Sequence, residues 1–361
     1  MNTAPTPSTP HRPADTAATA GPAASPAASP APSPAAVGDR LSVVPDQTAH
    51  PAGPDDCNSS SPCTDAPGEA SRARKAAAAK AGAEIRGEAL LCLAQLRLAT
   101  PRQLKALLLP HQQDTDHVRR ALRNLLAESP ALVGRTHRAQ QSYWHCTPAG
   151  LAEAAASGEL PPRAGRATGQ RAAAKTGLRE HGLALVDTVI AFQKAQAAEL
   201  GDWQVEVAHP TPAGNLVPDG VVLLTNGTSA FVEIDRTMSY ARLIAKLERY
   251  DAYRGAPASG RGNAARAPRS HWQETYAGPF LERPFPPVLF VFAPAPRRAA
   301  PTTRETEFHE QASGLSNVGY RITVATTALP LLTKHGAGKA VWRVVGRGED
   351  RLVLGRLPKA R

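Results

Sequence analysis

Cysteine is scarce in this chain, and its spacing does not suit a metal site or a disulfide framework. Four cysteines occur among 361 residues, and no two of them form a CxxC pair. Cys57 and Cys63 lie in a stretch rich in Ala, Pro and Ser, whereas Cys92 and Cys146 lie in apolar contexts typical of a core. This pattern argues against structural zinc.

Long hydrophobic runs are also missing. No run of about 18 apolar residues occurs, which argues against a membrane span. The amino terminus has no basic start followed by an apolar stretch, which argues against a secretory signal. We therefore expect a cytoplasmic protein with no membrane partner.

Large apolar residues are few in residues 1–80, which are rich in Ala, Pro, Ser and Thr. Burial of this segment would not offset the entropy lost on ordering it, so we predict a disordered leader. Residues 1–70 hold two basic and seven acidic groups, while the whole chain has a formal charge of +11. The remaining region is therefore strongly basic, and its expected partner is nucleic acid. A generic arginine-rich surface is the alternative.

The pattern of residues 81–158 predicts a winged helix-turn-helix domain. A first apolar helix covers 84–98, Thr100-Pro101 opens a second, and a third runs from Asp114-Thr115 to Ser129-Pro130. Two alternating runs, 131–136 and 142–146, are joined by residues 138–141 and predict a hairpin, the wing. Thr147-Pro148 opens a further helix.

The polar face of the third predicted helix is basic. It carries His117, Arg119, Arg120, Arg123 and Asn124, and the predicted wing adds Arg135 and Arg138. In a winged helix the third helix enters the major groove and the wing follows the backbone. These residues therefore predict binding to double-stranded DNA, with a winged fold used for protein contacts as the alternative.

Residues 159–177 are small and basic and predict a linker, and residues 178–361 predict a second domain of the α/β class. Its order is α-β-β-β-α-β-α-β, beginning with a helix over 178–200 and including strands predicted over 217–224 and 320–325. Thr225-Asn226-Gly227 is a strong hairpin signal between the second and third strands. Residues 254–285 predict an irregular basic insertion. The fold class is thus multidomain α/β with a mixed sheet.

Three carboxylates fall on the two strands joined by that hairpin. Asp219 lies in one strand, and Glu233 and Asp235 lie two apart in the other, so they share a face. Clustered carboxylates favour a divalent cation, and Mg²⁺ suits phosphodiester hydrolysis. The alternative is a turn residue at Asp219 and an ordinary polar strand end.

Motifs for other chemistries are absent. The sequence has no GxxxxGK[ST] loop for nucleotide hydrolysis and no GxSxG for acyl transfer. It also has no His-x-His pair of the kind that a rolling-circle relaxase uses for its metal.

Over about residues 85–255 the chain resembles the actinobacterial plasmid replication-relaxation family. The matching stretches are TPRQL at 100–104, CTPAG at 146–150, VPDG at 217–220 and FVEIDRT at 231–237, with His181, Lys246 and Tyr250. The resemblance implies DNA binding in plasmid replication, relaxation or transfer, with replication or transfer proteins as further partners.

The second domain also resembles the restriction-endonuclease-like PD-(D/E)XK fold. Pro218-Asp219 and Glu233 match its proline and two acids, but Asp235 stands where that fold has lysine. Some members carry the lysine on the next helix, where Lys246 lies. Lys246 shares a predicted face with Arg242, Arg249 and Tyr253, so a solvated or phosphate-contacting lysine is the alternative. The resemblance implies Asp219, Glu233, Asp235 and Lys246 as the catalytic set.

Two hypotheses follow. One is a magnesium-dependent DNA endonuclease or nickase directed by its winged helix. The other is a non-catalytic DNA-binding replication or transfer factor. A transcriptional regulator is the least favoured reading, because the second domain carries no signature of a ligand pocket.

Overall fold

The computed structural model describes residues 67–138, 140–158, 160, 168–212, 214–258, 269–277 and 283–360. The predicted leader lies outside these residues as far as residue 66. Its last part does not, because the first helix, α1, runs from Pro67 to Leu96. Within the described residues, no helix is both long enough and apolar enough to cross a membrane.

The helices and hairpin predicted for residues 81–158 are confirmed. They are α1, α2 (Pro101–Leu108), α3 (Asp116–Ala127), β1 (Val133–Arg138), β2 (Gln141–Cys146) and α4 (Pro148–Ala156). Thr100 and Gln103 form a reciprocal capping box at the start of α2, and the Thr147 hydroxyl accepts a hydrogen bond from Gly150 N at the start of α4. The β1–β2 pair is antiparallel, with Val133 opposite Cys146.

Among the described residues, two α-helices lie between this unit and the sheet. Part of the predicted linker forms α5 (Thr168–Ala174), and α6 (Thr176–Lys194) ends before the predicted residue 200. A Cβ on Gly169 would lie 2.4 Å from the Arg97 carbonyl oxygen at the end of α1. The absence of a side chain at Gly169 lets α5 pack closely against α1.

The remaining elements form a seven-stranded mixed sheet with flanking helices, together with a separate two-stranded hairpin. They are β3 (Trp203–Val205), β4 (His209–Thr211), β5 (Gly214–Leu216), β6 (Gly220–Leu223), β7 (Ser229–Asp235), α7 (Tyr240–Arg254), β8 (Val288–Phe292), α8 (Pro301–Ala312), β9 (Val324–Ala328), α9 (Leu329–His335), β10 (Trp342–Val344) and β11 (Arg351–Leu352). The strand order is β11-β10-β9-β8-β7-β6-β3. Strands β7, β8 and β9 are parallel, whereas β6 is antiparallel to β7.

Two apolar cores lie on the two faces of the sheet. The first joins Val189 and Phe192 of α6 and Val232 of β7 to Leu93 and Val133 of the winged unit. The second lies under α7 and α8 and consists mainly of aromatic and large aliphatic residues, including Phe231, Leu247, Phe290 and Phe308. Cys92 and Cys146 are buried free thiols, as their contexts predicted.

Three sequence-based details are wrong. The predicted strand over 217–224 begins only at Gly220, because residues 209–216 form the separate β4–β5 hairpin. The strand predicted at 320–325 is β9, at Val324–Ala328. The described part of 254–285 is not simply irregular and basic: it contains a π-helical turn, Gln273–Ala277, and it buries Trp272 and Phe285 in the second core.

Candidate functional site

Glu233 is the centre of a buried polar cluster. Strand alternation in β7 sends Phe231, Glu233 and Asp235 toward α7 and α8. The Glu233 carboxylate is fully buried and accepts hydrogen bonds from Lys246 Nζ and from the Tyr250 hydroxyl, one turn apart on α7. Burial raises the pKa of Glu233 to about 8, and the Asp219 charge adds to that rise.

Lys246 is held in its charged form. Burial alone would lower the pKa of Lys246, but the charges of Glu233 and Asp219 outweigh it, and the pKa is raised. Sequence reasoning placed Lys246 on a face with Arg242 and Arg249, as a solvated lysine or a phosphate contact. Those two arginines are exposed, whereas the Lys246 side chain is turned inward to Glu233.

Asp219 joins the cluster from the neighbouring strand. It directly precedes Gly220, which pairs with Val232, so Asp219 lies beside Glu233. Its Oδ2 accepts a hydrogen bond from Ile234 N at 2.7 Å, and its Oδ1 lies 3.1 Å from Nε2 of His181 on α6. Burial would raise the pKa of Asp219, but the His181 charge and hydrogen bond outweigh it and the pKa is lowered.

Asp235 does not belong to this cluster, although it shares the face of Glu233. It is fully buried, forms an ion pair with Arg304 of α8, and accepts a hydrogen bond from Met238 N at 3.0 Å. The expectation of three clustered carboxylates is therefore wrong for Asp235. Within the described ranges, no three His, Cys, Asp or Glu side chains are placed to share a metal ion.

The winged unit contacts the border of the cluster. Arg97, at the end of α1, forms an ion pair with Glu206, whose backbone N–H donates to the Asp219 carbonyl oxygen at 3.2 Å. Both Arg97 and Glu206 have positive φ, 72° and 51°. Backbone strain of this kind costs of order 1–3 kcal/mol per residue and persists only where the surroundings impose it. Packing at this junction therefore fixes the position of the Asp219 backbone.

The donor set suits a divalent cation only in part. Mg²⁺ in proteins is usually held by one or two carboxylates together with substrate phosphates and water. Asp219 and Glu233 lie on adjacent strands and could supply the two carboxylates only if Lys246 and Tyr250 release the Glu233 oxygens. Asp235 could not, because Arg304 already neutralises it.

A basic groove lies between α3 and the β1–β2 wing. Its volume is about 610 Å³, and its basic lining residues are Arg102, Arg119, Arg123, Arg135 and His137. The Arg135 guanidinium lies 5.7 Å from the centre of the Trp144 ring, which supports it. In the described part of the chain, none of these four arginines forms an ion pair with a carboxylate, so their charge faces the solvent.

The other predicted DNA-binding residues lie around this groove. His117, Arg120 and Asn124 are exposed on α3 and border a depression on its α1 side. Arg138 is exposed, but it donates to the Thr176 hydroxyl at the start of α6. Sequence reasoning missed Arg102 and His137, which only the fold brings to the groove.

The fold and the site together define a winged-helix protein of the α/β class. Its three-helix and hairpin unit carries a basic groove, and this unit packs on a mixed sheet that holds a buried acid–lysine pair. Residues 90–266 match the family model described as replication-relaxation. Over these residues the chain therefore belongs to the replication-relaxation family, which confirms the resemblance carried by the sequence motifs. No curated protein and no solved structure matches the chain.

Proposed function

We propose that this protein binds double-stranded DNA, in the setting of plasmid replication or relaxation, through the groove between α3 and the wing. The observation that carries the proposal is the set of four exposed groove arginines, Arg102, Arg119, Arg123 and Arg135, none of which forms a close ion pair with a described carboxylate. Duplex DNA carries a dense line of phosphates, and unpaired cations release its condensed counterions on binding. Family membership supports the biological setting.

The arrangement of α3 supports insertion into the major groove. Arg119 and Arg123 lie one turn apart on the wing side, and Arg120 and Asn124 lie one turn apart on the α1 side. Arginine and asparagine are the side chains that read guanine and adenine edges most often. The wing adds Arg135 as a phosphate contact, since its guanidinium is held over Trp144.

Fluorescence anisotropy with labelled duplexes tests this function. Arg123→Ala should weaken binding by about 1–3 kcal/mol if Arg123 reads a base, and uniformly across sequences if it contacts only phosphate. Arg347→Ala is the matched control, because Arg347 is an exposed arginine outside the groove. Equal affinity of wild type, Arg123→Ala and Arg119→Ala on every duplex would exclude the groove as the DNA site.

A second candidate function is DNA cleavage at the buried cluster. The specific observation is the contact between Lys246 and Glu233, beside Asp219, which brings together the two acids and the lysine of the restriction-endonuclease-like pattern. Asp219 and Glu233 would hold Mg²⁺, and the bound ion would supply positive charge to a DNA phosphate. Lys246 would contact the same phosphate. Asp235 would stabilise the fold through its ion pair with Arg304 and would not contact the DNA.

A further inference from the structure

A second cleft lies beside the basic groove. Its volume is about 700 Å³, and it lies between α2, α6, α9 and the carboxyl ends of β7 and β8. Thr100, Arg102 and Gln141 border both the cleft and the α3–wing groove. The two depressions are therefore adjacent.

The cations of this cleft are more available than its carboxylates. Arg102 and Lys194 form no ion pair with a described residue, although both lie near Asp187: burial raises the pKa of Asp187, and the charges of Arg102 and Lys194 partly offset that rise. Arg236 uses only its Nε, to the Pro294 carbonyl oxygen. Glu180 pairs with Arg179, and Asp187 accepts a hydrogen bond from the neutral Gln103 Nε2 at 2.8 Å, so Asp187 is the one described acid of the cleft lining left to offset the three cations. The open charge in the cleft is therefore positive.

The position of the cleft in the sheet also suits a ligand. Arg236 directly follows β7, Pro294 follows β8 by two residues, and Leu329 directly follows β9. These three strands are parallel, and open α/β sheets bind ligands outside the carboxyl ends of such strands. Helix α6 closes the opposite side of the cleft.

We infer that DNA leaving the α3–wing groove continues across this cleft, where Arg102, Lys194 and Arg236 contact its phosphates. The inference rests on the proposed DNA-binding function and extends it from one groove to a longer path. An extended basic surface supplies the charge complementarity that a phosphate backbone requires. The DNA strand in the cleft would then lie beside Arg236, which directly follows Asp235 at the end of β7.

Duplex length tests the path. A duplex of about 12 base pairs spans roughly 40 Å, and one of about 24 spans twice that. The longer duplex, or the short one carrying a single-stranded overhang of equal length, should bind more tightly than the short duplex alone. Comparing the two extended forms shows whether the cleft takes duplex or single-stranded DNA.

Lys194→Ala isolates the cleft, because Lys194 is exposed and its loss leaves the core intact. It should weaken binding of the extended DNA by about fivefold at 0.15 M salt and reduce the salt slope by about 0.9, as expected for one lost phosphate contact. Binding of the short duplex should not change. Arg236→Gln should act in the same way, and the exposed Lys359→Ala is the control.

The outcomes separate the two proposals. If Arg123→Ala weakens binding but Lys194→Ala and Arg236→Gln act equally on short and extended DNA, or not at all, the path through the cleft is wrong and the groove stands. If Arg123→Ala and Arg119→Ala also have no effect, the proposed function itself fails.

Discussion

Lys246 donates a hydrogen bond to Glu233 from the helix that follows the Glu233 strand, thirteen residues further along the chain. The two groups form a pair that is closed to solvent on the Glu233 side, where the exposed fraction is 0%. Tyr250, one turn further along α7, donates to the other carboxylate oxygen. The pair therefore depends on the orientation of one helix against one strand.

Removal of one partner of this pair should be costly. Lys246→Met removes the cation beside buried Glu233, so the pKa of Glu233 rises further and the group is protonated at neutral pH. The expected cost is therefore below the value of about 3–5 kcal/mol that is typical of a buried charge left unpaired. Urea unfolding at neutral pH measures the change. The double variant Lys246→Met with Glu233→Gln should recover part of the loss, and strictly additive single effects would show that the two groups do not interact.

Substitution of Glu233 should abolish DNA cleavage without unfolding the protein. With Mg²⁺ or Mn²⁺, wild-type protein should nick supercoiled plasmid, and Glu233→Gln should abolish nicking while it retains duplex affinity. Calorimetric titration with Mn²⁺ gives a readout independent of activity: the wild type should bind the ion in the presence of DNA, and Glu233→Gln should not. Wild-type protein that shifts plasmid on a gel but never relaxes it would exclude the catalytic function.

Asp235 should behave as a structural residue. Because Arg304 pairs with it in the interior, Asp235→Asn should lower the free energy of unfolding by about 3 kcal/mol. Any DNA nicking per folded molecule should remain near that of the wild type. Thermal unfolding and plasmid nicking, measured on the same preparation, distinguish a structural role from a catalytic one. Loss of nicking in a fully folded Asp235→Asn protein would show that Asp235 belongs to the catalytic site.

Two buried histidines should make stability depend on pH. Burial lowers the pKa of His209 to about 4, and burial, with the charges of Arg343 and Arg351, lowers the pKa of His309 to about 4. Between pH 6.5 and about 4 the unfolded chain therefore binds more protons than the folded one, so stability falls as pH falls. Each histidine contributes at most about 1.4 kcal/mol per pH unit in that window.

Urea unfolding between pH 7.5 and 4.5 measures this slope. His309→Gln should make it shallower, whereas substitution of the exposed His335 should leave it as in the wild type. A slope that is the same in His309→Gln and the wild type would contradict the assignment of His309 as a buried neutral group.

Gly150 should be intolerant of any side chain. A Cβ there would lie 1.8 Å from the Leu132 carbonyl oxygen, which also accepts the Thr147 N–H. Gly150→Ala must therefore move α4 away from the start of the wing. We expect this overpacking to lower the free energy of unfolding by about 3 kcal/mol. Gly177→Ala, in open space on α6, is the matched control. Equal thermal stability of the two variants would contradict this packing.

Local signals in the sequence predicted much of the fold. The Thr-Pro pairs at 100–101 and 147–148 identify helix starts because a hydroxyl cap and a proline at the first turn act within a few residues. The hairpin at residues 225–227 placed Asp219 beside Glu233, because antiparallel pairing with a short turn sets the register. Lys246 was also named in advance, through the family resemblance.

Contacts between distant residues were not predictable in this way. Arg304 lies 69 residues from Asp235, and no local pattern in α8 shows that it will reach the end of β7. His181 was noted in a matching stretch, but its contact with Asp219 depends on how α6 crosses the sheet. The division of basic residues between the groove and its surroundings likewise depends on how the wing packs beside α3.

The first apolar core has a consequence for the proposed binding of DNA. It runs without interruption from Leu93 and Val133 to Val189 and Phe192, so the wing cannot rotate relative to the sheet without exposing apolar surface. The proposed DNA path therefore lies on a rigid surface. Any mismatch between a straight duplex and the path from groove to cleft has to be absorbed by the duplex, and bending one site by 40–90° costs of order 1–6 kcal/mol, depending on its base steps. Flexible steps at positions that no side chain touches would then be favoured.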